Sequence, residues 1–431
     1  MKPQDKFRAT APAVSLMTAF TLPAVRRRLL PSGIEIIIYD RCDEPVNYMT
    51  LVQPGGDCEF PSPGYSALNA VMRREGTRSY SGEEINSLLD FNGSWLNISS
   101  SGHHLSLAMR SLNSTLPSSL PVFKEMAFNP VFPEKALEVR RASLARNIEV
   151  ALTDVDFMAM ATSDALIKGK GHPGARIDTP QEIREITSKS LADAFAANFH
   201  PESSKIFLSG MITREVEESV AEIFSDIPKG NSTYKANIVP FHAAPAGTVE
   251  KILKKDAKQS SIVMTLPAVG RNHPDYIPLH IAVSALGGYF GSRLMLEIRE
   301  RLGLTYGISA SLLGSEEGAY IQIQADTDCS NVERLCNEVK KELLKMVSQP
   351  PADSELTRLR QSLLSSQAAI LDSPFSIIDY HISRLTASIP DGYFEEKLQA
   401  ITQLTPETIS RVTAKYFKPD ELRTAIAGRN S

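Results

Sequence analysis

The feature that most restricts how this chain folds is that its two halves end alike. The segment ITSKSLADAFAANFHPESSKIFLSG (186–210) lies over LTPETISRVTAKYFKPDELRTAIAG (404–428) without a gap. Ile186 meets Leu404, Thr187 meets Thr405, Phe199 meets Phe417, Pro201 meets Pro419 and Gly210 meets Gly428, each pair 218 positions apart. Both copies carry a Thr N-cap, an amphipathic helix, a stop at Phe-x-Pro and an apolar strand ending in Gly. Just upstream, EKALEVRRASLARNIEVALTD and DSELTRLRQSLLSSQAAILDS read as long helices at about the same spacing. A fixed internal spacing marks a duplicated structural unit, and 431 residues exceed what one hydrophobic core ordinarily serves. The expectation is an α+β chain of two homologous domains, residues 1–226 and 247–431. The stretch between them, 227–246, is rich in Pro, Gly, Asn and Ala and reads as the linker.

Within the first unit, GIEIIIYD and VNYMTLVQPGG read as adjacent strands, followed by a helix that opens at Gly64. Next come the helix SGEEINSLLDFNG, whose Ser81 has Glu84 three residues on, and the alternating strand SWLNISSSGHHLSLAMRSL. The second unit repeats the plan with SIVMTLPAVG, YIPLHIAVSALGG, SRLMLEIRERLG and the strands TYGISASLLGS and GAYIQIQADT. This order predicts, in each domain, an antiparallel β-sheet with helices packed on one face.

Charge and composition remove several function classes. A net charge of −4 offers no basic field, so no nucleic-acid partner is expected. No run approaches the roughly 18–20 apolar residues needed to cross a bilayer. The apolar stretch before Arg26, Arg27 and Arg28 is broken by Thr, Ser and Pro and does not read as a secretion signal, which points to the cytoplasm. Cys42, Cys58, Cys329 and Cys336 lack CxxC spacing and read as reduced thiols. There is no G-x-S-x-G elbow, no Walker A loop and no dinucleotide-binding loop.

The order LPSGIEIIIYD, VQPGG, GYSALNAVMRREGT, GEEINSLLDFNGSWLN and GHPG resembles the first domain of the pitrilysin/insulinase zinc peptidases, the group of insulin-degrading enzyme and mitochondrial processing peptidase. LGGYFGSRLMLEIRERLGLTYGISAS resembles their second-domain signature, and the likeness runs from about Leu22 to the C-terminus. Active members carry H-x-x-E-H on the first-domain helix. Residues at i and i+4 share one helical face, so two imidazoles reach one metal while the Glu activates its bound water. Laid on that pattern between Gly64 and Gly76, the motif positions here are Ala67, Ala70 and Val71, side chains without a lone pair. The resemblance places a third ligand, a Glu, on a later helix; there stand Leu144, Ala145, Arg146 and Asn147, with Glu149 slightly late. Of His103, His104, His172, His200, His242, His273, His280 and His381, none has a His or Glu partner at ligating helical spacing. His103 and His104 lie on a strand, where neighbours point to opposite faces, and read as surface or core histidines. The chain is therefore expected to hold no metal. The opening helix is expected to persist as packing, with Leu68, Val71 and Met72 forming an apolar stripe against the sheet.

The resemblance also implies what survives. Arg299 and Tyr306, seven residues apart in RERLGLTY, stand where the family places an Arg and a Tyr across the substrate channel from the zinc. An Arg can fork onto a carboxylate or carbonyl, and a Tyr hydroxyl can donate to an oxyanion. Without the resemblance they read as a helix-surface Arg and a core Tyr. The strand from Trp95 matches the sheet edge that the family offers to extended peptides, with Asn97, Ser99 and Ser101 polar and small; a polar edge that resists aggregation is the other reading. Together these imply a zinc-free partner subunit of a heterodimeric zinc metallopeptidase. Zinc is then expected only in a homologous subunit, and unfolded or short peptides are the expected ligands. The alternatives are a structural or peptide-binding protein without a proteolytic role, or an active peptidase with a displaced zinc site.

Overall fold

The computed structural model describes residues 20–227 and 234–429. Its strands are β1 (Arg26–Leu29), β2 (Glu35–Asp40), β3 (Val46–Pro54), β4 (Trp95–Ser101), β5 (His104–Leu112) and β6 (Lys205–Gly210) in the first half, and β7 (Val249–Leu253), β8 (Gln259–Ala268), β9 (Ile308–Gly314), β10 (Ala319–Asp328) and β11 (Arg423–Gly428) in the second. The helices of the first half are α1 (Pro63–Met72), α2 (Gly82–Phe91), α3 (Leu116–Phe128), α4 (Glu134–Ala151), α5 (Val155–Lys168), α6 (Pro180–Glu185), α7 (Ser188–Ala197) and α8 (Arg214–Ser225). Those of the second are α9 (Tyr276–Val283), α10 (Val332–Ser348), α11 (Asp353–Ala369), α12 (Pro374–Thr386), α13 (Tyr393–Thr402) and α14 (Pro406–Tyr416), with π-helical turns at Ser284–Gly288 and Met295–Arg301.

The duplication is present strand by strand. The first sheet runs β1-β2-β6-β3-β5-β4 and the second β7-β11-β8-β10-β9, the same order once β1 is set aside. Pairing is antiparallel except for β2 with β6 and β7 with β11, one parallel pair in each sheet. The spacing read from sequence is the spacing of the elements: α7 and α14 begin 218 positions apart, and so do β6 and β11. Thr187 and Thr405 cap the two helices by accepting from the backbone N–H of Ser190 and Thr408. The repeated terminal Gly has a steric cause. A Cβ on Gly210 would lie 2.1 Å from the Val46 carbonyl oxygen, and one on Gly428 would lie 1.9 Å from Ser260 Oγ.

One face of each sheet carries its own half's helices. Ile36, Met49, Leu107 and Leu208 pack with Phe123 and Phe224 of α3 and α8. Ile262, Met264, Ile321 and Ile323 pack with Leu279, Leu335 and Leu359 of α9, α10 and α11. The structure adds what covers the other face. α12, from the second half, lies on β2 and β6, where Ile378 meets Ile37, Val52 and Phe207. α5, from the first half, lies on β8 and β11, where Ala159 meets Val263 and Ala427. These two helices also sit close to 218 positions apart, so each half lends the equivalent helix to its twin. Side-chain bonds reinforce the exchange: Ser209 Oγ donates to the Pro374 carbonyl at 2.8 Å, and Tyr320 donates to Asp164 at 3.4 Å.

Residues 234–246 of the expected linker run along the seam hydrogen-bonded to both sides. Phe241 N–H donates to the Glu317 carbonyl, His242 and Ala244 donate to the Lys168 and Leu166 carbonyls, and His172 meets the Val239 carbonyl. Among the described residues, no helix is long and apolar enough to cross a membrane.

The exchange makes distant parts of the chain interdependent. Ile378→Ala should cost about 2–5 kcal/mol, and amide hydrogen exchange should show β2 and β6 deprotected, although they lie in the other half. Loss of protection confined to residues after 246 would contradict the exchange. A second expectation concerns acid. Burial, followed by the nearby Arg384 and Arg27 charges, pushes His381 on α12 down to about 4. Its unfolded value is about 6.5, so the unfolded chain takes the proton first and stability falls as pH drops from about 6.5 toward 4. His381→Leu should flatten that part of the stability–pH curve; an unchanged slope would refute the assignment.

Candidate functional site

α1 begins where Asp178 receives its N-terminus, accepting from Ser62 Oγ at 2.5 Å and Gly64 N–H at 2.6 Å. The apolar stripe expected along it needs correction. Leu68 and Met72 are fully buried, but against Phe132, Leu137, Ile186 and Leu191 in a helical cluster beside α4 and α7, and it is Ala70 that packs into the sheet core. Val71 is 44% exposed and takes no part. It shares its face with the half-buried Ala67, one turn back, so the face that would present two imidazoles is apolar and open. Across from α1, the fully buried residue on α4 near the third-ligand position is Ala145, while Glu149 is exposed and paired with Arg184. Arg73, three positions beyond Ala70, is 1% exposed; its Nη1 donates to the Met126 and Ala127 carbonyls and the guanidinium lies over the Phe195 ring at 5.1 Å. Burial pulls its pKa down to about 9, leaving it charged at neutral pH. Zinc does not fit here: the donors are missing, and a buried cation sits within a helical turn.

The structure brings Arg299 and Tyr306 together. Both line one pocket with Gln259, Asp326 and Asp328; among the described residues its lining is all from the second half, with Asp326 in side-chain contact with Asp156 of the first. Arg299 lies on the second π-helical turn, donates to Glu300 at 2.7 Å and stacks over Phe290 at 4.8 Å. Tyr306 is 91% exposed, so the core reading of this residue is wrong. β4 is an edge strand of the first sheet. Asn97, Ser99 and Ser101 point with Trp95 to its exposed face, and Leu96 and Ile98 point inward.

A further cluster escaped the sequence reading. His103, in the turn between β4 and β5, sits between two carboxylates: Nδ1 is 2.5 Å from Glu59 and Nε2 is 2.5 Å from Glu317. Glu317 lies in the β9–β10 turn, the counterpart of the β4–β5 turn, so equivalent hairpins meet tip to tip across the seam. The three side chains are 12%, 6% and 5% exposed, which separates this bridge from a surface ion pair. Hydrogen bonds to Glu317 and then Glu59 hold His103 up at about 9. Burial alone would raise Glu317, but the bonds from His103 and Ser315 hold it down at about 2. The imidazolium is thus the stable form. Glu59 also accepts from Tyr234 Oη at 2.9 Å and Asn237 N–H at 3.2 Å. Cys58 is buried alongside. His103 was read as a surface or core histidine because its partners lie 44 and 214 positions away, beyond any local spacing rule.

Fold and site define the class: a duplicated α+β scaffold of the zinc-peptidase kind whose ligand positions on α1 carry apolar side chains. Residues 59–170 match the family model described as insulinase (peptidase family M16), and residues 185–363 match that described as peptidase M16 inactive domain. The chain belongs to the M16, or insulinase, family. It is 22% identical to a Helicobacter pylori protein named non-peptidase homolog YmxG, over 89% of each chain. It is 23% identical to the Saccharomyces cerevisiae mitochondrial-processing peptidase subunit beta, over 87% of this chain and 84% of that one. In fold it is similar to a Pseudomonas fluorescens structure described as a peptidase M16 inactive domain, with a TM-score of 0.84 at 22% identity over 94% of this chain and 98% of that one.

Removing the imidazolium leaves two buried carboxylates facing each other across the seam. His103→Ala should destabilise the protein by about 3–5 kcal/mol, and adding Glu317→Gln should recover part of the loss, as measured by urea unfolding. Additive effects of the two substitutions would show that the bridge carries no coupling.

Proposed function

We propose that this chain is the non-catalytic half of a two-chain peptidase. A homologous subunit that carries H-x-x-E-H supplies the zinc and its water. This chain supplies Arg299 and Tyr306 to the bound peptide and part of the chamber wall, with β4 and its Asn97, Ser99 and Ser101 as an edge for unfolded or short peptides. The observation that carries the reading is Tyr306: 91% exposed beside Arg299, in a pocket whose described lining comes from the second half. An oxyanion donor works only where water is excluded, so in this reading a second polypeptide covers it. The apolar Phe290, 65% exposed beneath Arg299, supports the same surface as a place for cover. The names of relatives fit the division of labour, one being a non-peptidase homologue and another one subunit of a peptidase.

A second reading keeps peptide binding without any peptidase. It is favoured by β4, whose free edge offers strand addition irrespective of Arg299 and Tyr306.

The test is cleavage of an unfolded peptide. The purified chain alone should cleave none, and mixing with an H-x-x-E-H homologue that binds it should give activity. In that complex Tyr306→Phe should lower kcat by about 10²-fold, and Arg299→Ala should chiefly raise KM. Unchanged kinetics in both variants would remove the second half from the active site, and failure to recover any zinc-binding homologue would leave the peptide-binding reading.

A further inference from the structure

We infer that Cys58, His103 and Glu317 form a site for one divalent transition-metal ion of the zinc type, built across the seam between the two halves. One ligand atom from each, the thiol sulfur, a ring nitrogen and a carboxylate oxygen, lies within 4.8 Å of the others. An ion held at roughly 2.0–2.3 Å from each ligand draws such a set together by modest side-chain movement. Among the described residues no other group of His, Cys, Asp and Glu reaches this proximity. The donor set selects the ion. A thiolate with an imidazole suits zinc or cobalt and disfavours calcium and magnesium, which take oxygen ligands.

Two further observations meet what a metal site requires. The first is an outer partner. Glu59 accepts from His103 Nδ1 and is itself fixed by Tyr234 Oη and Asn237 N–H, so Nε2 is aimed at Glu317 before any ion arrives. Carboxylate-held histidines are the usual arrangement behind a metal-ligating imidazole. The second is an entry path. A pocket lined by Cys58 and Glu317, with Lys168, His172 and Tyr320, opens beside the cluster and leaves room for a fourth ligand such as water.

The charge balance closes. Without metal, a neutral thiol, an imidazolium and a carboxylate sum to zero. With M²⁺, a thiolate, a neutral imidazole and a carboxylate also sum to zero, and two protons leave to solvent. The buried seam therefore gains no net charge on binding, in contrast to α1, where Arg73 already stands. The ligands come from the loop after β3 and from the two equivalent hairpin turns, so the ion would tie the halves together. This site shares no residue with Ala67, Ala70 and Val71, and the inference stands whether or not the peptidase reading does.

The experiment is a cobalt titration of the full-length, reduced, chelator-treated protein, read by absorbance, followed by competition with zinc. One equivalent of Co²⁺ should bind with a thiolate-to-cobalt charge-transfer band, and zinc should displace it. Cys58→Ser should abolish the band, and Glu317→Gln should weaken binding roughly tenfold or more. Cys329→Ser and Cys336→Ser should leave both unchanged. Zinc should also raise the urea midpoint of the wild type but not of Cys58→Ser. Absence of a thiolate band in the wild type, which needs no variant to fold, would overturn the site, as would a band that survives Cys58→Ser. The readout is metal uptake, so its failure is distinguishable from failure of the peptide-cleavage test.

Discussion

The exchange of α5 and α12 between the two sheets is the interaction on which the rest of this molecule depends. A sheet with helices on one face alone leaves the apolar side chains of its other face in water. Here Ile37, Val52 and Phe207 on one sheet, and Val263 and Ala427 on the other, need cover. Burying a side chain such as Ile378 contributes about 1.5–3 kcal/mol, and each half obtains that contribution only from its twin. The arrangement fixes the relative position of the halves, and that in turn sets the two hairpin turns against each other and places Glu317 on His103.

Seen from this framework, α1 is retained for reasons that have nothing to do with a metal. Leu68, Met72 and Arg73 are buried in a cluster shared with α4 and α7, and Asp178 holds the N-terminus. Only the face at Ala67 and Val71 is open, and packing places little demand on it. Ligands on such a face can be replaced without loss of fold, which is how a hydrolytic helix persists without hydrolytic groups. The second half differs: the half-buried Arg299 and the exposed Tyr306 line one pocket, and Tyr306 takes no part in the packing.

Much of the fold was legible in the sequence because it rests on local signals repeated at one spacing. Thr187 and Thr405, the Ser81 and Glu84 capping box, and the closing Gly210 and Gly428 all do in the structure what their positions indicate. The exchanged helices were a different matter, since nothing local says which sheet an amphipathic helix will cover. A clue was available: EIIIYD and KIFLSG are continuous apolar runs, the pattern of strands buried on both faces. Val71 was misplaced because three apolar residues on one helical turn imply a common face, whereas Leu68 and Met72 turn toward neighbouring helices and leave Val71 to solvent. The His103 bridge was invisible for a topological reason, its partners being brought in by a loop and by the other half.

The central claim is that α1 cannot hold the ion that hydrolysis needs, so hydrolysis by the zinc helix of this fold would draw its metal from another polypeptide. The direct measurement is an anomalous difference map at the zinc edge from crystals grown with excess zinc. The account predicts no peak within ligating distance of residues 67–71 or of Ala145. A well-occupied peak there, held by this chain's own atoms, would contradict it.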